Sequence, residues 1–125
     1  DQQVKGKIRK MQREIARRKI LKEVKNAHVV ITNPTHFAVA LKYDNKKHNA
    51  PVVIAKGADN LAMLIRKIAR DNDIPIVENK MVARALYEMC EPGQAIPASL
   101  YKAVAEILAH LYTTDQKFKR IWSFI

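Results

Sequence analysis

The chain has 125 residues, 48% of them hydrophobic, with three glycines and five prolines, which fits one domain around a single core and excludes a linker or low-complexity tail. Its 23 Lys and Arg against 12 Asp and Glu give a net charge of +11, which favours an anionic partner: nucleic acid, an anionic membrane surface or an acidic protein. No run reaches the roughly 20 apolar residues that span a bilayer, and the start lacks the apolar region of a signal peptide, so we expect a soluble chain. The lone Cys90 excludes an internal disulfide and a cysteine-based zinc site, so we expect a reducing compartment with Cys90 buried.

The first predicted element is a basic helical arm over residues 1–25. Ten Lys or Arg against three acidic residues give this arm a net charge of +7. Val4, Ile8, Met11 and Ile15 recur at spacings of four, three and four, which predicts one narrow apolar stripe. Because so polar a helix buries little of itself and its like charges repel, we expect an arm outside the core that is mobile or depends on a partner.

Two strands joined by a turn come next. Residues 28–32 are a mostly β-branched run, and Phe37 to Tyr43 is a second strand pattern. Pro34 lies between them, cannot donate to a sheet ladder, and biases Asn33 away from helical backbone. The sequence therefore predicts an antiparallel hairpin with a turn at 33–36, followed by a polar surface loop over 44–50.

Strands and helices then alternate. Val52 to Ala55 predicts a short buried strand that Gly57 ends, and Asp59 or Asn60 is expected to cap a helix that ends at 71–73. A fourth strand is predicted over 74–77. The next helix spans Lys80–Met89, with Val82, Leu86 and Met89 facing inward, and a last helix runs from about 98 to 111 before an amphipathic tail.

This alternation predicts an α/β fold. Crossovers after residue 52 imply parallel pairing, whereas the first two strands form a hairpin, so we expect a four-stranded mixed sheet flanked by helices on both faces, with the basic N-terminal helical arm attached. The predicted units are the arm over 1–26, an α/β domain over 27–112 and a C-terminal tail over 113–125.

The Asn33-Pro34-Thr35-His36 turn holds the most unusual chemistry of the chain. In ordinary asparagine ageing the next backbone nitrogen attacks the side-chain carbonyl, but the nitrogen of Pro34 is fully substituted and cannot do so. The remaining route has the Asn33 side-chain nitrogen attack its own backbone carbonyl, close a succinimide and expel the nitrogen of Pro34. The chain is then cut after Asn33.

A folded turn can accelerate this otherwise slow step. It can hold the attacking nitrogen near the carbonyl, strain the bond, and place His36 for proton exchange, a contribution of roughly 10²–10⁴-fold. The hydroxyl of Thr35 is well placed to steady the turn. Four residues alone leave the alternative open that Asn-Pro-Thr after a strand is only a good β-turn.

The wider sequence resembles the signature of the flagellar and type III secretion export-switch proteins, the FlhB/YscU family. The resemblance begins with the segment 32–41 around the turn and continues in order over nearly the whole chain. The sequence is most similar to the flagellar branch, because it has that branch's Lys-Gly-Ala and Gln-x-Ile-Pro motifs. The further matching segments are residues 4–9, 50–53, 55–58, 74–75, 83–87, 93–97 and 100–108.

That resemblance implies a function. Family members have a membrane part of several helices and a cytoplasmic domain, which this chain looks like, and the domain cleaves itself between the positions that match Asn33 and Pro34. Cleavage lets the export machine change from rod- and hook-type to filament-type cargo. Asn33 carries over as the cyclising residue, Pro34 as the leaving side, and Thr35 and His36 as supporting residues.

The resemblance also implies the setting of the domain. It places the domain at the cytoplasmic face of the bacterial inner membrane, among other export-gate components, export substrates and a hook-length-control protein. The arm over 1–25 would be the linker from the membrane domain, with its cations near anionic lipid headgroups. Residues 1–3 lack the acidic, proline-containing lead-in that the family suggests, and the tail after Thr113 does not align.

Two other functions compete with the switch. A pI near 10 and the basic arm fit nucleic-acid binding, with the Asn-Pro turn merely structural, although no recognised nucleic-acid motif is present. An anion site over residues 55–58, where a strand meets the start of a helix, would suit an enzyme that acts on phosphorylated substrates, but the glycines are too few for a phosphate loop. His28, His48 and His110 lack metal-ligand spacing, so we expect neither a metal nor a cofactor, and Arg84 with Tyr87 favours a salt bridge and core packing over a partner surface.

Overall fold

The computed structural model describes residues 1–43 and 49–122, the last two of them by their backbone alone. Two short 3₁₀ turns, Val24–Asn26 and Ala98–Leu100, precede the first strand and the fourth helix respectively. The helices and strands, in chain order, are α1 Gln2–Glu23, β1 Val29–Asn33, β2 Phe37–Lys42, β3 Val52–Ala58, α2 Asn60–Asp71, β4 Ile76–Glu78, α3 Lys80–Met89, α4 Tyr101–Thr114 and α5 Gln116–Trp122.

The four strands form one mixed sheet in the order β3-β2-β1-β4. β1 pairs antiparallel with β2 and parallel with β4, while β2 pairs antiparallel with β3. The predicted hairpin and the predicted mixed sheet are thus confirmed. β1 lies inside the sheet, with a strand on each side.

Helices cover both faces of this sheet, as predicted. Alternate residues of β1 point to opposite faces, so that Val29 and Ile31 belong to one core cluster and Val30 to the other. The first cluster includes side chains of α3, α4 and α5, and the second includes side chains of α2 and the end of α1. The apolar stripes of these helices are what fix them against the strands.

α1 divides into an exposed part and an anchored end. Val4, Ile8, Met11 and Ile15 remain 48–60% exposed. Ile20 is only 2% exposed, and Val24 is fully buried beside it in the core. The expectation that the whole arm lies outside the core is therefore wrong for its last turn, because the stripe ends in residues that pack under α2 and β3.

The β3–α2 connection departs from the sequence prediction. β3 continues through Gly57 to Ala58, and a Cβ on Gly57 would lie 2.7 Å from the Cβ of Leu61, so this glycine permits close packing rather than ending the strand. Asp59 alone joins β3 to α2, with φ +51° and ψ −114°, and its side chain does not cap the helix. Such backbone costs a residue other than glycine about 1–3 kcal/mol.

α3 begins and ends at the predicted residues. The side chain of Asn79 accepts a hydrogen bond from the Val82 N–H at 3.1 Å and caps the helix. Val82 and Leu86 are buried as predicted, but Met89 is 55% exposed. The inward row continues from Leu86 to Cys90, four residues on, which turns Met89 about 100° away from the core.

Some predictions fall partly outside the described residues. The predicted loop over 44–50 includes residues 44–48, among them His48, and the predicted amphipathic tail includes Phe124, all of which lie outside the described residues. Within the tail, α5 buries Phe118 against the core. Across residues 1–43 and 49–122, every helix is too short or too polar to cross a bilayer.

Candidate functional site

The Asn-Pro turn joins the two central strands of the sheet. Asn33 is the last residue of β1 and pairs in register with Phe37, the first residue of β2, and residues 34–36 form the turn between them. Pro34 lacks an N–H and therefore leaves the ladder here. The bond between Asn33 and Pro34 thus lies at the point where regular strand pairing stops.

The turn is closed by its backbone. The N–H of His36 donates to the carbonyl oxygen of Asn33 at 2.9 Å, the three-residue step of a β-turn. This carbonyl belongs to the bond that the cyclisation route would cut. This donor is not predictable from the sequence, because the direction of a backbone N–H depends on the turn conformation and not on residue type.

The side chains of the turn differ in exposure. Asn33 and Pro34 are half-buried, whereas Thr35 and His36 are exposed. Within the described residues, no hydrogen bond holds the side-chain amide of Asn33 or the hydroxyl of Thr35. The Asn33 amide is therefore not tied away from its own backbone carbonyl, and the turn is steadied by backbone rather than by Thr35.

Two helix starts hold the hairpin end from outside. The N–H of Asp59 donates to the carbonyl oxygen of His36 at 3.0 Å, and the N–H of Asn79 donates to that of Thr32 at 2.9 Å. Asp59 precedes α2 and Asn79 precedes α3. The turn is consequently fixed by hydrogen bonds on both of its sides.

An aromatic and cationic cluster packs beside the turn. The rings of Phe37 and Tyr87 stack at 4.5 Å, and the ring of His36 lies 6.4 Å from that of Phe37. The Lys56 ammonium lies 4.8 Å from the Tyr87 ring centroid, donates to the Tyr87 carbonyl at 2.7 Å and pairs with Glu91 at 2.9 Å. The Lys56 ammonium is therefore paired within the domain, which argues against the anion site considered for residues 55–58.

Other residues singled out from the sequence have structural roles. The Nδ1 atom of His28 accepts the Tyr43 N–H at 3.0 Å. Arg84 pairs with Glu88 at 3.0 Å, and Tyr87 packs on Phe37, which confirms the interpretation as salt bridge and packing. No three His, Cys, Asp or Glu side chains among the described residues gather as metal ligands would.

Cys90 is the buried thiol that the sequence predicts. It is 1% exposed, and its Sγ lies 3.4 Å and 3.5 Å from the carbonyl oxygens of Ala95 and Gln94. Burial raises the pKa of the Cys90 thiol, Lys56 opposes that rise, and Glu91 adds to it. The thiol is therefore held in its unreactive protonated form.

Comparison with known proteins finds extended similarity. Residues 1–111 match the model of the FlhB HrpN YscU SpaS family. The flagellar biosynthetic protein FlhB of Bacillus subtilis (strain 168) is 54% identical over 91% of this chain, and that of Escherichia coli (strain K12) is 51% identical over 90%. The chain spans 32% and 29% of the lengths of these two relatives.

Solved structures share the fold. The cytoplasmic domain of FlhB from Shewanella putrefaciens matches with a TM-score of 0.77 at 45% identity, covering 82% of this chain and 79% of that one. A C-terminal domain of EscU with an asparagine changed to alanine matches with a TM-score of 0.67 at 34% identity, covering 70% and 87%. Two further EscU variants change the proline next to that asparagine and the histidine three positions after it, with TM-scores of 0.66 and 0.57.

Proposed function

The chain belongs to the FlhB/HrpN/YscU/SpaS family, and from that membership we propose that it is the cytoplasmic switch domain of a flagellar protein-export apparatus and cuts its own backbone between Asn33 and Pro34. The observation that carries this proposal is the hydrogen bond from the His36 N–H to the carbonyl oxygen of Asn33 in an Asn-Pro turn. The altered asparagine, proline and histidine of the EscU variants have the order and spacing of Asn33, Pro34 and His36, which supports the same site.

In the proposed reaction, Asn33 and Pro34 supply every bond that is made or broken when the ring closes. The Nδ2 atom of Asn33 forms a bond to its own backbone carbonyl carbon while the bond from that carbon to the Pro34 nitrogen breaks. The proton lost by Nδ2 is delivered to the Pro34 nitrogen, which leaves as a secondary amine. Asn33 becomes a C-terminal succinimide, which water then opens.

Three features of the turn would lower the barrier. The attacking and attacked groups belong to one residue, so no encounter is needed. The His36 N–H bonds the oxygen on which negative charge develops, a kind of donor whose removal costs other enzymes about 10²–10³-fold in rate. The exposed imidazole of His36 can exchange the proton between the two nitrogens through water.

The sheet explains why the cut domain would stay whole. Fragment 1–33 keeps β1, which is paired on both sides by strands of fragment 34–125. It also keeps Ile20 and Val24 in the core, and each fully buried aliphatic side chain contributes about 1.5–3 kcal/mol. Cleavage would therefore free the chain ends at the turn and keep the rest of the domain folded.

The proposed role is to change the specificity of export from rod- and hook-type to filament-type cargo once the turn is cut. Its partners would be other export-gate components, the exported proteins and a hook-length-control protein, at the cytoplasmic face of the bacterial inner membrane. The exposed stripe of α1, with its surrounding cations, would lie against anionic lipid next to the membrane domain.

Denaturing intact-mass analysis of the wild-type chain beside Asn33→Ala tests the proposal. We expect fragments 1–33 and 34–125 from the wild type, which co-elute under native conditions, and one uncut chain from Asn33→Ala with an unchanged circular dichroism spectrum. A single wild-type mass after prolonged incubation would make the turn structural. The basic arm would then favour nucleic-acid binding, to be measured with duplex DNA and a deletion of residues 1–15.

A further inference from the structure

The single-residue corner at Asp59 is strained without a local reason. Its φ of +51° is unfavourable for a residue with a Cβ, and the other described residue of this kind is Asp73, at the opposite end of α2. The side chain of Asp59 is exposed, leaves α2 uncapped, and forms neither a hydrogen bond nor an ion pair with any described residue. The conformation therefore follows from the backbone contacts of Asp59 and not from its side chain.

The backbone of Asp59 connects α2 to the Asn-Pro turn. Its carbonyl oxygen accepts the Met63 N–H at 3.0 Å and so starts the helix, while its N–H reaches back to the carbonyl oxygen of His36 at 3.0 Å. Ala58, the preceding residue, pairs in register with Phe37. Close packing of Leu61 against Gly57 leaves one residue to make the whole change of direction.

His36 is consequently held at both of its backbone groups. Its carbonyl oxygen is fixed by Asp59, and its N–H is fixed on the carbonyl oxygen of Asn33. A turn residue secured at its far side has less freedom to swing its N–H away from Asn33. The strained corner thus supports the donor that faces the reacting carbonyl.

We propose that Asp59 is a positioning residue for the cleavage, acting through its backbone N–H, which holds His36 so that the His36 N–H stays on the carbonyl oxygen of Asn33. This inference rests on the proposed self-cleavage. The carboxylate of Asp59 has no part in it, because this side chain forms neither a hydrogen bond nor an ion pair with any described residue.

An amide-to-ester replacement in the full chain tests the N–H itself. The α-hydroxy analogue of aspartate at position 59 removes this one donor and keeps the side chain. The matched control is the hydroxy analogue of asparagine at position 79, which removes the equivalent bond to Thr32 on the other side of the hairpin. We expect the ester at 59 to slow cleavage about tenfold more than the ester at 79, whereas equal slowing by both esters would overturn the proposal.

A spectroscopic measurement separates this proposal from the cleavage on which it rests. In an Asn33→Ala background labelled with ¹³C at the residue 33 carbonyl, the ester at 59 should raise the carbonyl infrared frequency, and the ester at 79 should not. An unchanged frequency means that Asp59 does not hold the His36 bond and refutes the proposal. If the wild type does not cleave but the frequency rises, the self-cleavage fails while the positioning by Asp59 stands.

Discussion

Asn33 carries the nucleophile and the electrophile of the proposed reaction on one residue. Its neighbours in sequence supply the blocked nitrogen of Pro34 and the imidazole of His36, and these could be predicted from residue types alone. The N–H of His36 could not, because every residue except proline has one and only the folded turn aims it at the Asn33 carbonyl. The strained Asp59 was likewise predicted only as a helix cap.

His36→Ala separates the two contributions of this residue. The substitution removes the imidazole but keeps the backbone N–H on the Asn33 carbonyl oxygen. We therefore expect the cleavage rate to fall, by no more than the roughly 10²–10⁴-fold that a general acid or base contributes, and not to reach zero. The rate is measured as the growth of fragment 34–125 by denaturing mass analysis, with Thr35→Ala as control. An unchanged rate would exclude the imidazole from the mechanism.

Cys90 predicts a pH dependence of stability. Because burial raises the pKa of this thiol in the folded state, the fold favours the protonated form. The stabilisation is complete below the ordinary thiol pKa, about 8.5, and is lost as the pH rises from there through the folded pKa. The free energy of unfolding in urea should thus fall more steeply between pH 8 and 10 for the wild type than for Cys90→Ala. Parallel curves would contradict the prediction.

At the scale of elements, local patterns located most strands and helices because each has its own signal. The β-branched run over 29–32 is an example in which residue type decides the local structure. The prediction that Gly57 ends the strand was wrong, because the sequence does not distinguish a glycine that breaks a strand from one that lets a neighbouring helix pack closely. The prediction for Met89 was wrong because the buried row of α3 continues from Leu86 to Cys90, which leaves Met89 exposed.

The close approach of α2 to β3 can be tested at Gly57. A methyl group there would meet Leu61 at 2.7 Å and 2.9 Å, the second contact being to backbone, so Gly57→Ala should destabilise the fold by about 1–3 kcal/mol. Gly6→Ala is the matched control, because nothing lies within 4 Å of its Cβ position and alanine favours an exposed helix by about 0.5–1 kcal/mol. The urea midpoint of unfolding should fall for Gly57→Ala and rise for Gly6→Ala. A shift of both midpoints in the same direction would disprove the packing argument.

At the scale of the molecule, charge and exposure coincide on α1. The first fifteen residues carry five Lys or Arg, around a stripe that stays about half exposed, while the far end of the helix is anchored by Ile20 and Val24. The sequence predicted the stripe but not the anchor, because the burial of Ile20 depends on α2 and β3, which are distant along the chain.

Vesicle sedimentation tests the proposed lipid contact. The chain should bind vesicles that contain phosphatidylserine and lose binding as salt is raised, since each cation near the surface contributes about 1 kcal/mol. Deleting residues 1–15 should weaken binding, because five of the ten cations of the arm and its exposed stripe are lost, and should keep the fold, because Ile20 and Val24 remain. Pure phosphatidylcholine vesicles are the control. Equal binding to both vesicle types would argue against an electrostatic membrane contact.

If the bond after Asn33 is cut as proposed, the interior position of β1 would change the molecularity of folding. Before the cut, the domain refolds as one chain, at a rate independent of its concentration. Afterwards, the central strand would belong to a separate fragment, residues 1–33 of this chain, so recovery from unfolding would depend on the product of two concentrations. A dilute cut domain that unfolds once is therefore not rebuilt, and its lifetime is set by its unfolding rate.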